Sequence, residues 1–305
     1  MMRIMLFIVT NLLVMILFGS VLSCIGNCSS STFELIKIAS IFGFLGAFIS
    51  LLLSKFIALS TVNGVVINKA SNDMEIWILE SIRNQSKKLC ISAPQLAIYD
   101  SVDMNAFATG FRKNAALIAV SSSLLKNMSR DSIEAVIAHE ISHIASGDMV
   151  TMTLIQGVMN TFVIFISRSL SRLIEFCLLY NSDRNSSISA HDNDHYNFDT
   201  PSLIYVVITS ILEMLFGMLA SIVVFWFSRR REFYADSGAA KLVGCKNMIC
   251  ALQELQCDIE SNNISNSVMT LYINSVKKTN ILSNLFASHP SLEHRIEALR
   301  NGTYF

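Results

Sequence analysis

Two histidines and a glutamate lie within one short segment of the chain, His139-Glu140-Ile-Ser-His143. At ~100° per residue in a helix, His139 and His143 would lie about 40° apart on one face. Two imidazoles one turn apart can bind a single Zn²⁺, and a glutamate beside the first can act as a general base. The pattern therefore predicts a metal site with His139 and His143 as ligands. Glu140 would take a proton from the water that attacks the substrate.

The segment around these residues, 131–148, has the features of an amphipathic helix. Asp131 followed by Glu134 resembles a capping box, and Gly147 suits the end of a helix. The side opposite the histidines would pack into the domain through four isoleucines, Ile133, Ile137, Ile141 and Ile144. A surface helix with solvated histidines is the alternative interpretation.

A catalytic zinc usually has three protein ligands and a water, so a third ligand has to come from elsewhere. The segment 229–240 places Glu232 and Asp236 one helical turn apart. We predict that Glu232 is the third ligand and that Asp236 accepts the free ring N–H of a ligating histidine. Taken alone, this segment also fits a charged helix face with Arg–Glu pairs. The same ligands would accept Co²⁺ or Mn²⁺.

The composition is typical of a membrane protein. The 305 residues are 52% hydrophobic and 15% charged, whereas roughly 25% charged residues would be ordinary in a soluble domain. Lys+Arg and Asp+Glu number 23 each, so no basic excess favours nucleic acid as a partner. The sequence has no Gly-x-x-x-x-Gly-Lys-Ser/Thr loop, and we predict no nucleotide partner. Its seven cysteines include no Cys-x-x-Cys pair, which argues against a zinc ribbon.

Four apolar stretches match the ~20 residues needed to cross a bilayer: 5–24, 38–60, 149–167 and 203–227. Polar residues in the third stretch leave a buried core helix as its alternative, and a cleaved lipoprotein-like signal is the alternative for the first. Glu213 lies within the fourth stretch. A carboxylate at the bilayer centre costs at least ~2.5 kcal/mol, so Glu213 should face another helix or lie near the outer interface.

Basic residues indicate the orientation of these stretches, because they concentrate on the cytoplasmic side of membrane proteins. They lie at the end of the second stretch and beyond it, as Lys55, Lys69, Arg83, Lys87 and Lys88, and they follow the fourth stretch, as Arg229 to Arg231. We therefore predict transmembrane hairpins at 1–60 and 149–228. The segments 61–148 and 229–305 would be two parts of one cytoplasmic catalytic domain, with an outer loop at 183–199.

The predicted cytoplasmic segments mix helices and strands. Helices are predicted over 73–86, 242–259 and 292–299, with a polar break at 262–266. Short apolar runs at 95–99, 106–111 and 115–120 are typical of strands. The predicted fold class is α+β: a mainly helical, zincin-like catalytic domain with a small antiparallel sheet, plus four transmembrane helices in two hairpins.

Beyond the metal motif, the chain resembles the HtpX group of bacterial membrane metalloproteases, relatives of the CAAX-prenyl endopeptidases. The resemblance runs nearly end to end. It rests on the initial Met-Met-Arg-Ile, on Asn105-Ala-Phe-Ala-Thr-Gly, on His139-Glu-Ile-Ser-His143, on Arg231-Glu-Phe-Tyr-Ala-Asp236 and on Ser288-His-Pro-Ser-Leu-Glu-His-Arg-Ile.

This resemblance implies a zinc metalloendopeptidase of the bacterial inner membrane, with one Zn²⁺ per chain. Such an enzyme cleaves misfolded or damaged membrane proteins at the cytoplasmic face under envelope stress. The resemblance also implies that Asn105 holds substrate backbone and that His289 stabilises the oxyanion. From the residues alone, Asn105 also fits a turn and His289 a cap before Pro290.

Two other functions fit the same residues less well. A zinc hydrolase could process one dedicated peptide or lipid-linked substrate instead of many unfolded proteins. A membrane adaptor could use the metal for structure alone, but a structural site has no use for a general base such as Glu140 beside its ligands.

Overall fold

The computed structural model describes residues 29–185, 203–267 and 289–304. The chain divides into two compact units, one formed by Met1–Phe48 and Leu154–Val224 and the other by Ile49–Thr153 and Phe225–Phe305. The first predicted span, 5–24, and most of the predicted outer loop lie outside the described residues.

The described residues form eight α-helices, four strands and one 3₁₀ turn. In chain order they are α1 (Ser29–Val62), β1 (Val65–Val66), α2 (Asp73–Lys88), β2 (Gln95–Tyr99), β3 (Ala106–Thr109), the 3₁₀ turn (Lys113–Ala115), β4 (Leu117–Ser121), α3 (Ser122–Asn127), α4 (Arg130–Ser146), α5 (Asp148–Asn185), α6 (Leu203–Val243), α7 (Cys245–Ser267) and α8 (Leu292–Arg300).

Three of these helices, α1, α5 and α6, are long and apolar enough to cross a membrane. The apolar segments are Leu35–Val62, Asp148–Glu175 and Leu203–Val243. In α5, only 28% of the most apolar stretch is buried within the protein. A buried core helix would hide most of its surface, so this low burial favours a membrane helix for the third predicted span.

Within the first unit, close contacts join α1 to α5 and an ion pair joins α5 to α6. A side chain at Gly43 would overlap Thr161, and Phe44 packs on Gly157, so small residues let α1 and α5 approach each other. Glu213 of α6 faces Arg168 of α5, with 3.9 Å between Oε1 and Nε. The carboxylate in the fourth predicted span therefore faces a cation on another helix.

The sheet is mixed, so the predicted antiparallel sheet is wrong. Its strand order is β1-β2-β4-β3, with β2 and β4 parallel and the two outer pairs antiparallel. The last strand lies between β2 and β3, whereas in a simple meander β2 and β3 would pair with each other. All five residues of β4 are buried, as expected of a central strand with both faces covered. An apolar run predicts a strand but does not specify its neighbours.

Two predicted helix boundaries are also wrong. The helix predicted over 242–259 begins only at Cys245, because the chain turns at Gly244 with φ +96°. That left-handed conformation suits glycine. At the other end, α7 continues through the predicted polar break and reaches Ser267.

Helix α4 carries the histidine motif and packs into the main core. Its buried isoleucines, Ile133, Ile137, Ile141 and Ile144, are no more than 1% exposed. The N-cap is Ser129, whose hydroxyl accepts from the Ser132 amide, so the predicted Asp131–Glu134 capping box is wrong. Glu254 of α7 selects this start by accepting hydrogen bonds from the Ser129 amide and from both serine hydroxyls. Gly147 ends the helix at φ +73°.

The close approach of α6 to α4 depends on one glycine. A Cβ built on Gly238 of α6 would lie 3.0 Å from Ser142 Cβ and would overlap its hydroxyl oxygen. Ser142 lies next to His143, and Gly238 lies two residues beyond Asp236. The absent side chain therefore lets the carboxylate-bearing helix approach the histidine-bearing helix.

Gly238→Ala should destabilise the chain by about 1–3 kcal/mol, because the added methyl overlaps the Ser142 side chain. A second change, Ser142→Gly, removes that overlap. The double variant should regain the lost stability except for about 1 kcal/mol, which is the cost of a glycine inside a helix. Thermal denaturation of the detergent-purified protein measures both effects.

Gly217→Ala is the matched control, because a Cβ at this position of α6 meets nothing within 4 Å. It should leave the denaturation midpoint unchanged or raise it. If Gly238→Ala were as stable as Gly217→Ala, the proposed close packing of α6 on α4 would be disproved.

Candidate functional site

Two histidines of α4 and one glutamate of α6 converge on one point. The Nε2 atoms of His139 and His143 lie 3.1 Å apart. Glu232 places Oε1 3.3 Å from Nε2 of His143 and Oε2 3.6 Å from Nε2 of His139. The structure therefore brings the three predicted ligands together, with one donor atom from each lying within 4.8 Å of the others.

Two further carboxylates hold the other ring nitrogens of these histidines. Asp236 Oδ1 lies 2.9 Å from Nδ1 of His139, and Asp148 Oδ2 lies 2.6 Å from Nδ1 of His143. A carboxylate at Nδ1 keeps the proton on that atom, which leaves the Nε2 lone pair available to a metal. Asp236 has the contact predicted from its spacing, whereas the partner of His143 was not predicted.

Asp148 was missed because it belongs to the next helix rather than to the histidine motif. The left-handed turn at Gly147 separates α4 from α5 and returns Asp148 to the ring of His143. An acidic residue directly after a helix-ending glycine is the signal that could have identified it. Arg231 of α6 also binds this residue, since its Nη1 donates to the Asp148 carbonyl at 2.6 Å.

Arg295 of α8 is the second residue whose role was not predicted. Its guanidinium donates to both carboxylate oxygens of Asp236, at 2.8 Å and 2.6 Å. Its Nη1 also lies 3.5 Å from Oε2 of Glu232. This residue is only 8% exposed, and its guanidinium offsets negative charge beside the histidines that would otherwise be unpaired. The residue lies in the C-terminal segment of the resemblance, but spacing alone indicated no role for it.

Burial and neighbouring carboxylates shift the pKa values of the two histidines in opposite directions. Burial alone lowers the pKa of His143, but the carboxylates of Asp148 and Glu232 outweigh it and raise the pKa to about 10. The pKa of His139 is likewise lowered by burial and raised, on balance, by Asp236 and Glu232. Burial raises the pKa of the Glu140 carboxyl. A carboxyl with a raised pKa is better matched to accepting and returning a proton near neutral pH.

A cleft of about 600 Å³ adjoins this group, and Glu140, His139 and Glu232 line it. The two residues implied by the family resemblance, Asn105 and His289, line the same cleft. Asn105 precedes β3, and its carbonyl accepts from the Ser121 amide at 2.9 Å. His289 is exposed, with Nδ1 3.1 Å from Oε2 of Glu232.

The chemistry of these donors fits a divalent metal ion. Two imidazole nitrogens and one carboxylate form a set that zinc accepts in catalytic sites, where a further position is left open. The carboxylates behind the rings supply the orienting contacts that metal-binding histidines require. His139, His143 and Glu232 are therefore the residues that could hold the ion.

Comparison with known proteins identifies the family. Residues 72–303 match the model of peptidase family M48. The chain is 52% identical over 304 residues to Protease HtpX of Baumannia cicadellinicola subsp. Homalodisca coagulata, with all of this chain and 99% of that protein covered. Protease HtpX of Yersinia pestis (strain Pestoides F) is 53% identical with the same coverage.

A solved structure shows a similar fold at low sequence identity. The crystal structure of S. mikatae Ste24p superposes with a TM-score of 0.60 at 18% identity, covering 98% of this chain and 67% of that chain. The resemblance to the HtpX group inferred from the motifs is confirmed. This chain belongs to peptidase family M48 and is a membrane metallopeptidase.

Proposed function

We propose that this chain is a zinc endopeptidase of the bacterial inner membrane. It would cleave misfolded or damaged membrane proteins at the cytoplasmic face without ATP. The observation that carries the proposal is the position of Glu140, which lies in the cleft next to the convergent His139, His143 and Glu232. A purely structural metal site would have no need of a buried carboxylate facing a cleft of this size.

The chain's own residues account for the proton transfers of peptide hydrolysis. Zn²⁺, when bound by His139, His143 and Glu232, is a Lewis acid that polarises the scissile carbonyl and favours water as a nucleophile. Glu140 then takes a proton from the attacking water and delivers it to the leaving amine. His289 lies at the same cleft and would donate to the oxyanion.

The unpaired edge of β3 offers a way to bind many different substrates. In the described part of the chain, β3 pairs only with β4, so no strand lies along its other edge. Ala106 of β3 and the preceding Asn105 line the cleft. An extended peptide could add to this edge through main-chain hydrogen bonds, which require little sequence preference. Broad recognition of extended backbone suits substrates that have lost their fold.

Glu140→Gln should abolish zinc-dependent cleavage of unfolded casein, because the amide cannot accept the proton from water. We expect a loss of at least about 100-fold, the scale of general acid–base catalysis. The measurement is the cleavage rate of the detergent-purified protein, with bound zinc quantified in parallel. Zinc content should stay at the wild-type level, because Glu140 is not a predicted ligand.

The control is Glu134→Gln, which removes a carboxylate from the same helix outside the cleft lining. It should cleave casein like the wild type. Wild-type rates in Glu140→Gln would refute the assigned base. Zinc binding without casein cleavage in any form would instead favour an enzyme with one dedicated substrate.

Asp148→Asn should weaken zinc binding by about 10- to 100-fold, because the neutral amide holds the His143 ring less firmly. Affinity is measured by competition with a chelator of known zinc affinity. Asp131→Asn is the matched control, since Asp131 is exposed at the first turn of α4. Equal affinity in the two variants would show that the contact with Asp148 does not support metal binding.

The proposed orientation is supported by the end of the apolar part of α6. Arg229, Arg230 and Arg231 follow it directly, and the Arg230 guanidinium lies 5.5 Å from the Trp226 ring centre. An aromatic ring beside clustered basic residues is typical of a cytoplasmic membrane interface. Because Glu232 follows this cluster in the same helix, the site would lie on the cytoplasmic side.

A tag fused after Phe305 tests this orientation. In inverted inner-membrane vesicles, added protease should digest the tag, because the cytoplasmic side faces outward. In intact spheroplasts the tag should be protected, and a known periplasmic protein should be digested as the control. Digestion in spheroplasts would reverse the proposed topology.

A further inference from the structure

The cleft beside Glu140 has an apolar wall that the proposed mechanism does not use. Helix α7 supplies it through residues that recur every third or fourth position, which at ~100° per residue places them within a narrow arc. This α7 wall consists of Met248, Leu252, Leu255 and Ile259, all of which line the cleft.

The wall offers apolar surface at its outer end. Met248 and Leu252 are 2% and 0% exposed, so they form a packed base. Leu255 is half-buried, and Ile259 is 53% exposed. Because exposed apolar area beside a catalytic cleft gains free energy when a ligand covers it, this end suits an apolar side chain of the substrate.

The α7 wall gives an acidic side chain no comparable partner. Carboxylates of Glu140, Glu232 and Glu293 line the cleft. Arg295 also lines the cleft, but its guanidinium already donates two hydrogen bonds to Asp236. The four side chains of the wall carry no charge, so a substrate carboxylate placed against them would lose water without gaining a cation.

We propose that the α7 wall is a specificity subsite that receives a bulky apolar side chain next to the scissile bond and excludes aspartate and glutamate. This inference rests on the proposed endopeptidase function and adds a cleavage preference to it. The favoured cut sites would be apolar segments that become accessible when a membrane protein unfolds. Backbone pairing at β3 would supply general affinity, and the wall would select the bond to be cut.

Mapping of cut sites in unfolded casein tests the wild-type preference. The full-length, zinc-loaded protein is used, and the cleavage products are sequenced by mass spectrometry. At one of the two positions flanking the cut, leucine, phenylalanine and methionine should be favoured over aspartate and glutamate on the order of ten-fold. Cleavage without a preference on either side would overturn the subsite but leave the endopeptidase standing. No zinc-dependent cleavage would overturn both.

Leu255→Lys tests the wall itself by placing a cation beside the substrate side chain. Cuts beside aspartate and glutamate should rise about three- to five-fold, the scale of a partly exposed ion pair. The control is Gln253→Lys, which adds the same charge on the exposed face of α7 and should leave the cut pattern unchanged. An equal shift in both variants, or none in Leu255→Lys, would overturn the proposal.

A smaller change keeps the test decisive if Leu255→Lys does not fold. Leu255→Ala shortens the wall without adding charge, so the preference for leucine over alanine at the same flanking position should fall. An unchanged leucine-to-alanine ratio in this variant would show that the α7 wall does not contact the substrate side chain.

Discussion

The site depends on the pairing of buried charges between two helices that come into close contact. Glu232, Asp236 and the two histidines are all largely removed from water, where an unpaired ion would cost several kcal/mol. Each is held by a partner from another element, and Arg295 contributes a cation to both carboxylates. The contact at Gly238 therefore positions the carboxylates of α6 against the histidines of α4.

Other contacts within the second unit hold α4 in the position that this contact with α6 requires. The isoleucines of α4 are buried in the main core. Rotating the helix to move its histidines away from α6 would therefore expose these isoleucines to water. Glu254 binds the N-terminal end of α4, and the turn at Gly147 brings Asp148 to the other end. The metal-facing groups thus lie on a helix held at both ends and along one face.

Much of the local structure follows from short patterns in the sequence. The strand over Gln95–Tyr99 and the buried isoleucine face agree with their predicted positions, because short apolar runs and helical spacing reflect which side chains reach the core. The sheet order was not predictable in this way, since β4 reaches its central place through pairing with both β2 and β3. The start of α4 was also missed, because the partner that selects Ser129 lies on α7.

By itself the sequence determined the chemistry: the residue types of the metal group, their helical spacing and the apolar stretches follow from covalent order and helix geometry alone. Tertiary structure decided which additional groups complete the site. Asp148 and Arg295 acquire their roles only when the turn at Gly147 and the packing of α8 bring them to His143 and Asp236. Such contacts join residues far apart in the chain or across a helix end, where no periodic pattern relates them, so only packing brings them together.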